Sequence, residues 1–481
     1  MTQAITLPLW FFTVLLALAL LAALEWLLLP SLRWFLQRQV RGVMDELRVR
    51  LRIDIPPFKL TRRQALIDRL MSDPRVLSIA QDYAAEKKIS PQAALQRVQR
   101  YAREIVPAFN AYLYFRLGYW LSKKFARLLY RVRLGYMDAE ALARIAPKST
   151  VVFVMNHRSN MDYILVAFLA AEQVALSYAV GEWARIWPLQ GLIRAMGAYF
   201  VRRNSSDPLY RMVLQRYVQM ATEGGVPQAV FPEGGLSTDG LLRAPKLGLL
   251  DYMLKTFDPA GERDLVFVPV GINYDRVFED RTLLARRDPG APRAGVVRAL
   301  RVIAAYLGRQ LLRRLRGRSY RNGYACVNFG QPLSMRARAL DTGIDFRMLD
   351  EAARHAAVAR LGEQLMDQIG RIVPVLPVPL VATVLLRQPQ TALSELELKA
   401  ELNALIRAIE TLGAHVYVPR ADLDYALDVG LRMLTLRRLV LQEEGLFRAN
   451  PAELPALRYY ANSIDHLCRP LDLSAIVLGA R

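Results

Sequence analysis

A chain of 481 residues, 53% of them hydrophobic, is too apolar to stay disordered and long enough for one large domain with additions or for two to three domains. Lys and Arg outnumber Asp and Glu by 65 to 44, and the net charge of +21 favours an anionic partner: nucleic acid, a phosphorylated small molecule or an anionic membrane face. Two cysteines without paired spacing, Cys326 and Cys468, and four scattered histidines, His157, His355, His415 and His466, argue against a disulfide framework, a thiolate zinc site and a histidine metal cluster.

From Leu7 to Leu24 the chain has 18 consecutive uncharged residues, and with Glu25 at the interface the apolar segment reaches Leu29. As a helix those 23 positions span roughly 34 Å, enough for the ~30 Å hydrocarbon layer. Arg33, Arg38, Arg41, Arg48, Arg50 and Arg52 follow, so the positive-inside tendency keeps the bulk of the protein cytoplasmic. Met1 to Thr6 lacks the basic start of a signal peptide. Residues 1–32 are therefore expected to form a membrane anchor helix in the inner membrane, with the rest on its cytoplasmic side. Residues 33–110 read as a helical region, broken at Pro56-Pro57 and resuming from Thr61 to Ile105.

From Tyr112 to Tyr136, and again from Val296 to Arg318, aromatic or leucine residues interleave with Arg and Lys. Both stretches read as basic amphipathic helices, either packed on the core or docked on anionic lipid headgroups. Between about 145 and 335 short apolar runs (Val151–Met155, Ala229–Phe231, Leu265–Val270, Tyr324–Phe329) alternate with helical ones (Met161–Ala171, Leu209–Thr222, Leu247–Phe257). That alternation predicts an α/β domain over 111–340 with buried strands. Residues 341–481 read mostly as helix. The apolar run Ile372–Leu386 is interrupted by Pro374, Pro377 and Pro379, which points to a buried or interfacial connection more than to a second span.

The strand pattern Val151–Met155 delivers His157 to its end, and Asp162 follows where a helix begins. A neutral imidazole accepts a proton near neutral pH, and a neighbouring carboxylate fixes its tautomer and stabilises the imidazolium. His157 and Asp162 together are a candidate general base and its orienting partner for activating a hydroxyl.

The run Asn156-His157-Arg158-Ser159-Asn160-Met161-Asp162-Tyr163 resembles the His-x4-Asp block of glycerolipid acyltransferases, in the form found in bacterial membrane glycerol-3-phosphate and dihydroxyacetone-phosphate acyltransferases. Gly197-Ala198-Tyr199-Phe200-Val201-Arg202-Arg203 resembles the second block, Phe231-Pro232-Glu233-Gly234-Gly235 the third, and Val268-Pro269-Val270 with Tyr274-Asp275 the fourth, in the family's order. Similarity extends through Asn328-Phe329-Gly330-Gln331-Pro332 to the tail around Tyr459–Leu467. The resemblance implies an acyltransferase α/β domain with a mostly parallel or mixed sheet and helical additions on both sides.

It also implies an activity: transfer of a fatty acyl group from acyl-CoA or acyl carrier protein to the sn-1 hydroxyl of glycerol-3-phosphate, at the start of phospholipid synthesis. His157 is then the general base, with no covalent intermediate and neither cofactor nor metal required. Arg202 and Arg203 are expected to meet the acceptor's phosphate or the pantetheine phosphates, and Glu233 to bind the acceptor, with Gly234 and Gly235 allowing close approach. The backbone N–H groups at the helix start after Asn156 are expected to face the oxyanion.

One departure stands out. The third block usually continues Gly-Gly-Arg-Ser-Arg, whereas this chain has Gly235-Leu236-Ser237-Thr238. Arg158, Arg243 and Lys246 are the cations at hand to replace the missing pair. The departure bears on the acceptor, so dihydroxyacetone phosphate, lysophosphatidate or a non-phosphorylated alcohol remains an alternative, as does a membrane interaction protein without turnover. A nucleic-acid partner has only the net charge behind it.

Overall fold

The computed structural model describes residues 56–111, 113–170, 176–181, 189–202, 205–287, 308 and 322–471. The expected anchor over 1–32, the second basic stretch and Arg203 lie outside the described residues. Among the described residues no helix is long and apolar enough to cross a membrane.

Three helices form the amino-terminal layer: α1 Arg63–Met71, α2 Pro74–Lys87 and α3 Pro91–Ile105. The sequence reading took Thr61–Ile105 as one helical unit, and two cap-proline pairs divide it. Asp73 accepts the N–H of Arg75 ahead of Pro74, and Ser90 accepts that of Ala93 ahead of Pro91, so each proline occupies a first turn where its missing donor costs nothing.

The next helix, α4, runs Tyr119–Leu129 and stops at Tyr130, after which Arg131–Met137 is strand β1. This corrects the expectation of a basic helix as far as Tyr136. The arginines there alternate with Val132 and Leu134 on a sheet-edge strand that pairs in parallel with a strand nearly 200 residues later. Strand β2, Thr150–Met155, leads into α5, Asp162–Ala170, and then come β3 Ser177–Gly181 and β4 Ala198–Val201. Helix α6, Pro208–Glu223, is capped by Asp207, and is followed by β5 Gln228–Val230, α7 Gly248–Leu254 and β6 Leu265–Tyr274. Strands β7, Tyr324–Phe329, and β8, Leu333–Ser334, complete the sheet.

The strand order is β1-β7-β6-β2-β5-β3-β4, with β8 beside β6. Strands β2 to β6 run parallel to one another, β7 is antiparallel to β6, and β1 is parallel to β7. The sheet is therefore mixed and mostly parallel. Burial on both faces explains why its central strands read as unbroken apolar runs: all ten residues of β6 are buried. Val152, Val154, Leu265 and Phe267 pack under α1, α2, α3, α6 and α7. Phe153, Met155, Val268, Val270 and Ile272 face α4 and the carboxy-terminal helices. Fully burying one such side chain contributes ~1.5–3 kcal/mol, and a one-residue slip would turn every one of them to the wrong face.

Helix α8, Glu351–Ile372, lies across β6, and α9, Pro377–Arg387, is the buried centre of the carboxy-terminal region, with Pro377 in its first turn. Around α9 pack α10 Glu395–Thr411, α11 Leu423–Leu436 and α12 Leu454–Ala461. The reading of 341–481 as mostly helix misses a three-stranded antiparallel sheet there, β9 Leu393–Ser394, β10 Val440–Glu443 and β11 Leu446–Ala449.

This region is fastened to the α/β sheet by polar contacts. Asn273 Nδ2 donates to Pro374 O (2.9 Å) and Ser463 Oγ (3.1 Å), and buried Asp280 takes the hydroxyl of Tyr460 and the guanidinium of Arg437. The tail also seats on the loop after Glu233. Asn462 Nδ2 donates to Asp239 O (2.8 Å), and Gly240, at φ +88°, lies so close that a Cβ would stand 2.0 Å from Tyr459 O.

Gly240→Ala is expected to cost about 2–5 kcal/mol, combining ~1–3 for overpacking with ~1–2 for a left-handed backbone. Gly343→Ala, at φ +66° with open space around its Cβ, carries only the second part. Urea denaturation of the two variants side by side checks this, and equal losses would remove the tail contact as the cause.

Candidate active site

Strand β2 ends in the middle of the sheet, between β5 and β6, and Asn156 follows it. Its amide continues the ladder with a side chain: Oδ1 accepts Ile272 N–H (2.8 Å) and Nδ2 donates to Ile272 O (2.9 Å). The strand thus closes without loose polar groups while the main chain turns away, placing His157 at the carboxyl end of the parallel strands, where such folds gather their sites.

Four donors converge on Asp162, which is fully buried. Its Oδ2 accepts His157 Nδ1–H (2.9 Å), Arg158 N–H (2.7 Å) and Ser159 N–H (3.0 Å), and its Oδ1 accepts the hydroxyl of Tyr274 (2.5 Å). Burial and the facing carboxylate push the Tyr274 phenol well above its ordinary value, so it stays a donor. A carboxylate opposite Nδ1 puts the ring proton on that nitrogen and leaves the lone pair on Nε2, which has no hydrogen bond among the described residues. The ring lies against Phe231, centroids 4.0 Å apart, with Tyr163 edge-on at 5.5 Å.

Glu233 stands on the other side of His157. Its Oε1 accepts the His157 main-chain N–H (2.9 Å), and its Oε2 is buried with no partner among the described residues. Burial pushes this carboxyl up to about 7, against the downward pull of Arg158, the His157 N–H and Arg243. Gly234 adopts φ +69°, a left-handed backbone that favours glycine, and the Lys246 stem lies against it, 2.5 Å from where a Cβ would stand. Lys246 itself is exposed and donates its main-chain N–H to Pro232 O (2.7 Å).

The expected residues do not all come together. His157, Asp162, Glu233, Gly234, Gly235 and Lys246 meet at one place. Arg158 does not face solvent: it is 1% exposed, and its guanidinium donates to the main-chain oxygens of Gly240 and Ser463, so it is a strut of the fold. Arg202 is spent on a bidentate pair with Glu104 (2.8 and 2.7 Å), between the rings of Tyr101 and Tyr210. Strand β4 is also three positions from β2, ~14 Å at the usual strand spacing.

The helix start is equally occupied. The N–H groups of residues 157 to 161 go in turn to Glu233, Asp162, Asp162, Glu279 and Ser159 Oγ, which leaves none for an oxyanion. Sequence reasoning gave no role to Tyr274, although it quoted the residue, or to Glu279, which holds Ser159 Oγ (2.7 Å) and both nitrogens of Asn160 (3.2 and 3.0 Å). Tyr274 closes β6, whereas the strand expected from the sequence stopped at Val270, so its strand-end position was not visible there. Nothing in the spacing marks Glu279.

Known proteins are similar to this chain over most of its length. Residues 137–273 match the Acyltransferase family, and residues 309–478 match the family Glycerol-3-phosphate acyltransferase C-terminal region. The chain therefore contains an Acyltransferase domain, followed by a region similar to the carboxy-terminal part of glycerol-3-phosphate acyltransferases. A glycerol-3-phosphate acyltransferase of Pseudomonas fluorescens is 29% identical over 405 residues, 80% of this chain and 46% of its own length. The enzyme of that name from Pasteurella multocida is 28% identical over 451 residues, 89% of this chain and 53% of its own. The chain thus spans about half the length of these acyltransferases. A solved 1-acyl-sn-glycerophosphate acyltransferase from Thermotoga maritima aligns with 52% of this chain and 79% of its own at 18% identity, with a TM-score of 0.30.

In Asp162→Asn the amide oxygen must stay where three donors meet, so the new NH2 faces Tyr274, whose hydroxyl turns from donor to acceptor. The imidazole tautomer is therefore expected to survive while the negative charge is lost. Nitrogen-15 NMR of His157 should report Nδ1–H in both proteins, and turnover should fall ~10²-fold or more. A switched tautomer would overturn this reading of the network.

Proposed function

We propose that this site transfers a fatty acyl group from the thioester of acyl-CoA or acyl carrier protein to the sn-1 hydroxyl of glycerol-3-phosphate. The observation that carries the reading is His157, with Nδ1–H on buried Asp162 and a free Nε2, beside a carboxyl group that has one oxygen unpaired. Nε2 takes the proton of the acceptor hydroxyl as its oxygen attacks the thioester carbon, and the Asp162 charge stabilises the imidazolium. Collapse of the tetrahedral intermediate expels the thiolate, which the imidazolium protonates, so no acyl-enzyme forms. Glu233 Oε2 accepts a second hydroxyl of the acceptor and thereby orients the first.

With the helix-start donors spent, the N–H groups of Gly235 and Leu236, which have no hydrogen bond among the described residues, are the backbone donors left for the oxyanion. The apolar segment 7–29 and the arginines after it support attachment at the cytoplasmic face of the inner membrane, with anionic lipids as further partners. The absence of arginine at 236 and 238 keeps dihydroxyacetone phosphate, lysophosphatidate or an uncharged alcohol as the second reading.

The test is acyl transfer by detergent-purified protein from palmitoyl-CoA and from an acyl carrier protein thioester to glycerol-3-phosphate, dihydroxyacetone phosphate and lysophosphatidate in parallel. His157→Ala should lower turnover by ~10²- to 10⁴-fold. Lack of product with every pair would favour a membrane protein without turnover.

A pH series tests Glu233 separately. Its ionised form accepts the acceptor's hydroxyl, and the proton that blocks this is lost on rising through about 7, so the acceptor KM should fall as pH rises across that value. Glu233→Gln should retain only the weaker dependence of the substrate's own phosphate, which titrates near 6.

A further inference from the structure

We infer that Arg243, carried on the hydroxyl of Thr238, is the cation that receives the acceptor's phosphomonoester, standing in space where an arginine at 238 would otherwise stand. The inference rests on the acyl-acceptor reading above and names the group that holds the charged end of that acceptor. Position 238 is one of the two at which the third block ordinarily has arginine, and here it has threonine. Thr238 Oγ1 accepts Arg243 Nη2–H at 2.7 Å, so the guanidinium is brought back to the position it replaces.

The loop is folded to make this possible. Ser237 Oγ donates to Leu241 O (2.8 Å) and accepts Gly240 N–H (3.0 Å), and Ser237 N–H donates to His157 O (3.0 Å), which anchors the turn beside the base. Arg243 thus returns to Thr238 across a tight reversal, near enough to Glu233 for its charge to act on that carboxyl.

Among the described arginines named from the sequence, elimination leads to the same residue. Arg158 is buried and spent on two main-chain oxygens, and Arg202 is paired with Glu104. Arg243 has no carboxylate ion pair among the described residues. Its bond to Thr238 takes one of the two Nη2 hydrogens, so one edge of the guanidinium, Nη2 with either Nε or Nη1, remains to form the two parallel bonds that a phosphate takes from such a fork. Lys246, whose stem lies on Gly234, adds a second cation without directional demand.

The experiment is steady-state kinetics of the purified full chain with glycerol-3-phosphate and palmitoyl-CoA. Arg243→Ala should raise the KM for glycerol-3-phosphate about 10-fold or more, the loss of charged hydrogen bonds, while the KM for palmitoyl-CoA and the thermal midpoint stay near wild type. Arg243→Lys should lie between, and Thr238→Arg in the Arg243→Ala background should restore acceptor affinity. Inorganic phosphate should compete with glycerol-3-phosphate in the wild type and more weakly in Arg243→Ala.

An unchanged acceptor KM in Arg243→Ala, an equal rise in both KM values, or failure of Thr238→Arg to restore affinity would overturn the assignment. If the wild type acylates no phosphorylated acceptor but does acylate glycerol, the acceptor reading itself falls, whatever Arg243 does.

Discussion

A carboxylate cut off from water is tolerable only where donors replace the water on every side, and the site is organised around meeting that demand at Asp162. Two of its four donors are main-chain N–H groups from the turn that carries His157, one is the imidazole, and one comes from the end of β6. The turn, the ring and the neighbouring strand therefore share one anion, and none of them can move without leaving a buried charge underserved. Orientation of the base follows from this sharing, since the ring has no freedom to choose another partner.

The same economy governs the rest of the turn. Five successive N–H groups are all committed, to Glu233, Asp162 twice, Glu279 and Ser159. A helix start that binds anions in many folds is here filled by the protein's own acids. Burial and hydrogen bonds work against each other at Glu279, where burial raises the carboxyl and Ser159 and Asn160 pull it down. Rigidity of the His157 turn is obtained by closing the anion site at the helix start.

Much of this was legible in the sequence where local chemistry decides the outcome. The buried central strands read as apolar runs because both faces are covered, whereas the caps Asp73 and Ser90, directly before prolines, were passed over and the helices they open read as one unit. His157, Asp162 and Glu233 were found because they fall in ordered blocks. What escaped depends on partners distant in the chain. An alternating basic segment is a strand at 131–137 only because β7 lies beside it, and Arg202 is neutralised by a glutamate 98 residues earlier. Arg158 reads as a ligand from its place beside the base, and its burial is decided by main-chain oxygens at 240 and 463. No periodicity carries information of that kind.

The seating of Arg158 on Ser463 also dates the completion of the site. The base and its carboxylate lie five residues apart, yet the guanidinium between them and the loop after Glu233 receives its last support from a residue 305 positions further on. A nascent chain emerging from the ribosome would hold a finished sheet and a recognisable base while the floor beneath them was still open. Acquisition of the native His157 turn is then tied to arrival of the segment around Ser463 and not to folding of the domain that contains the turn.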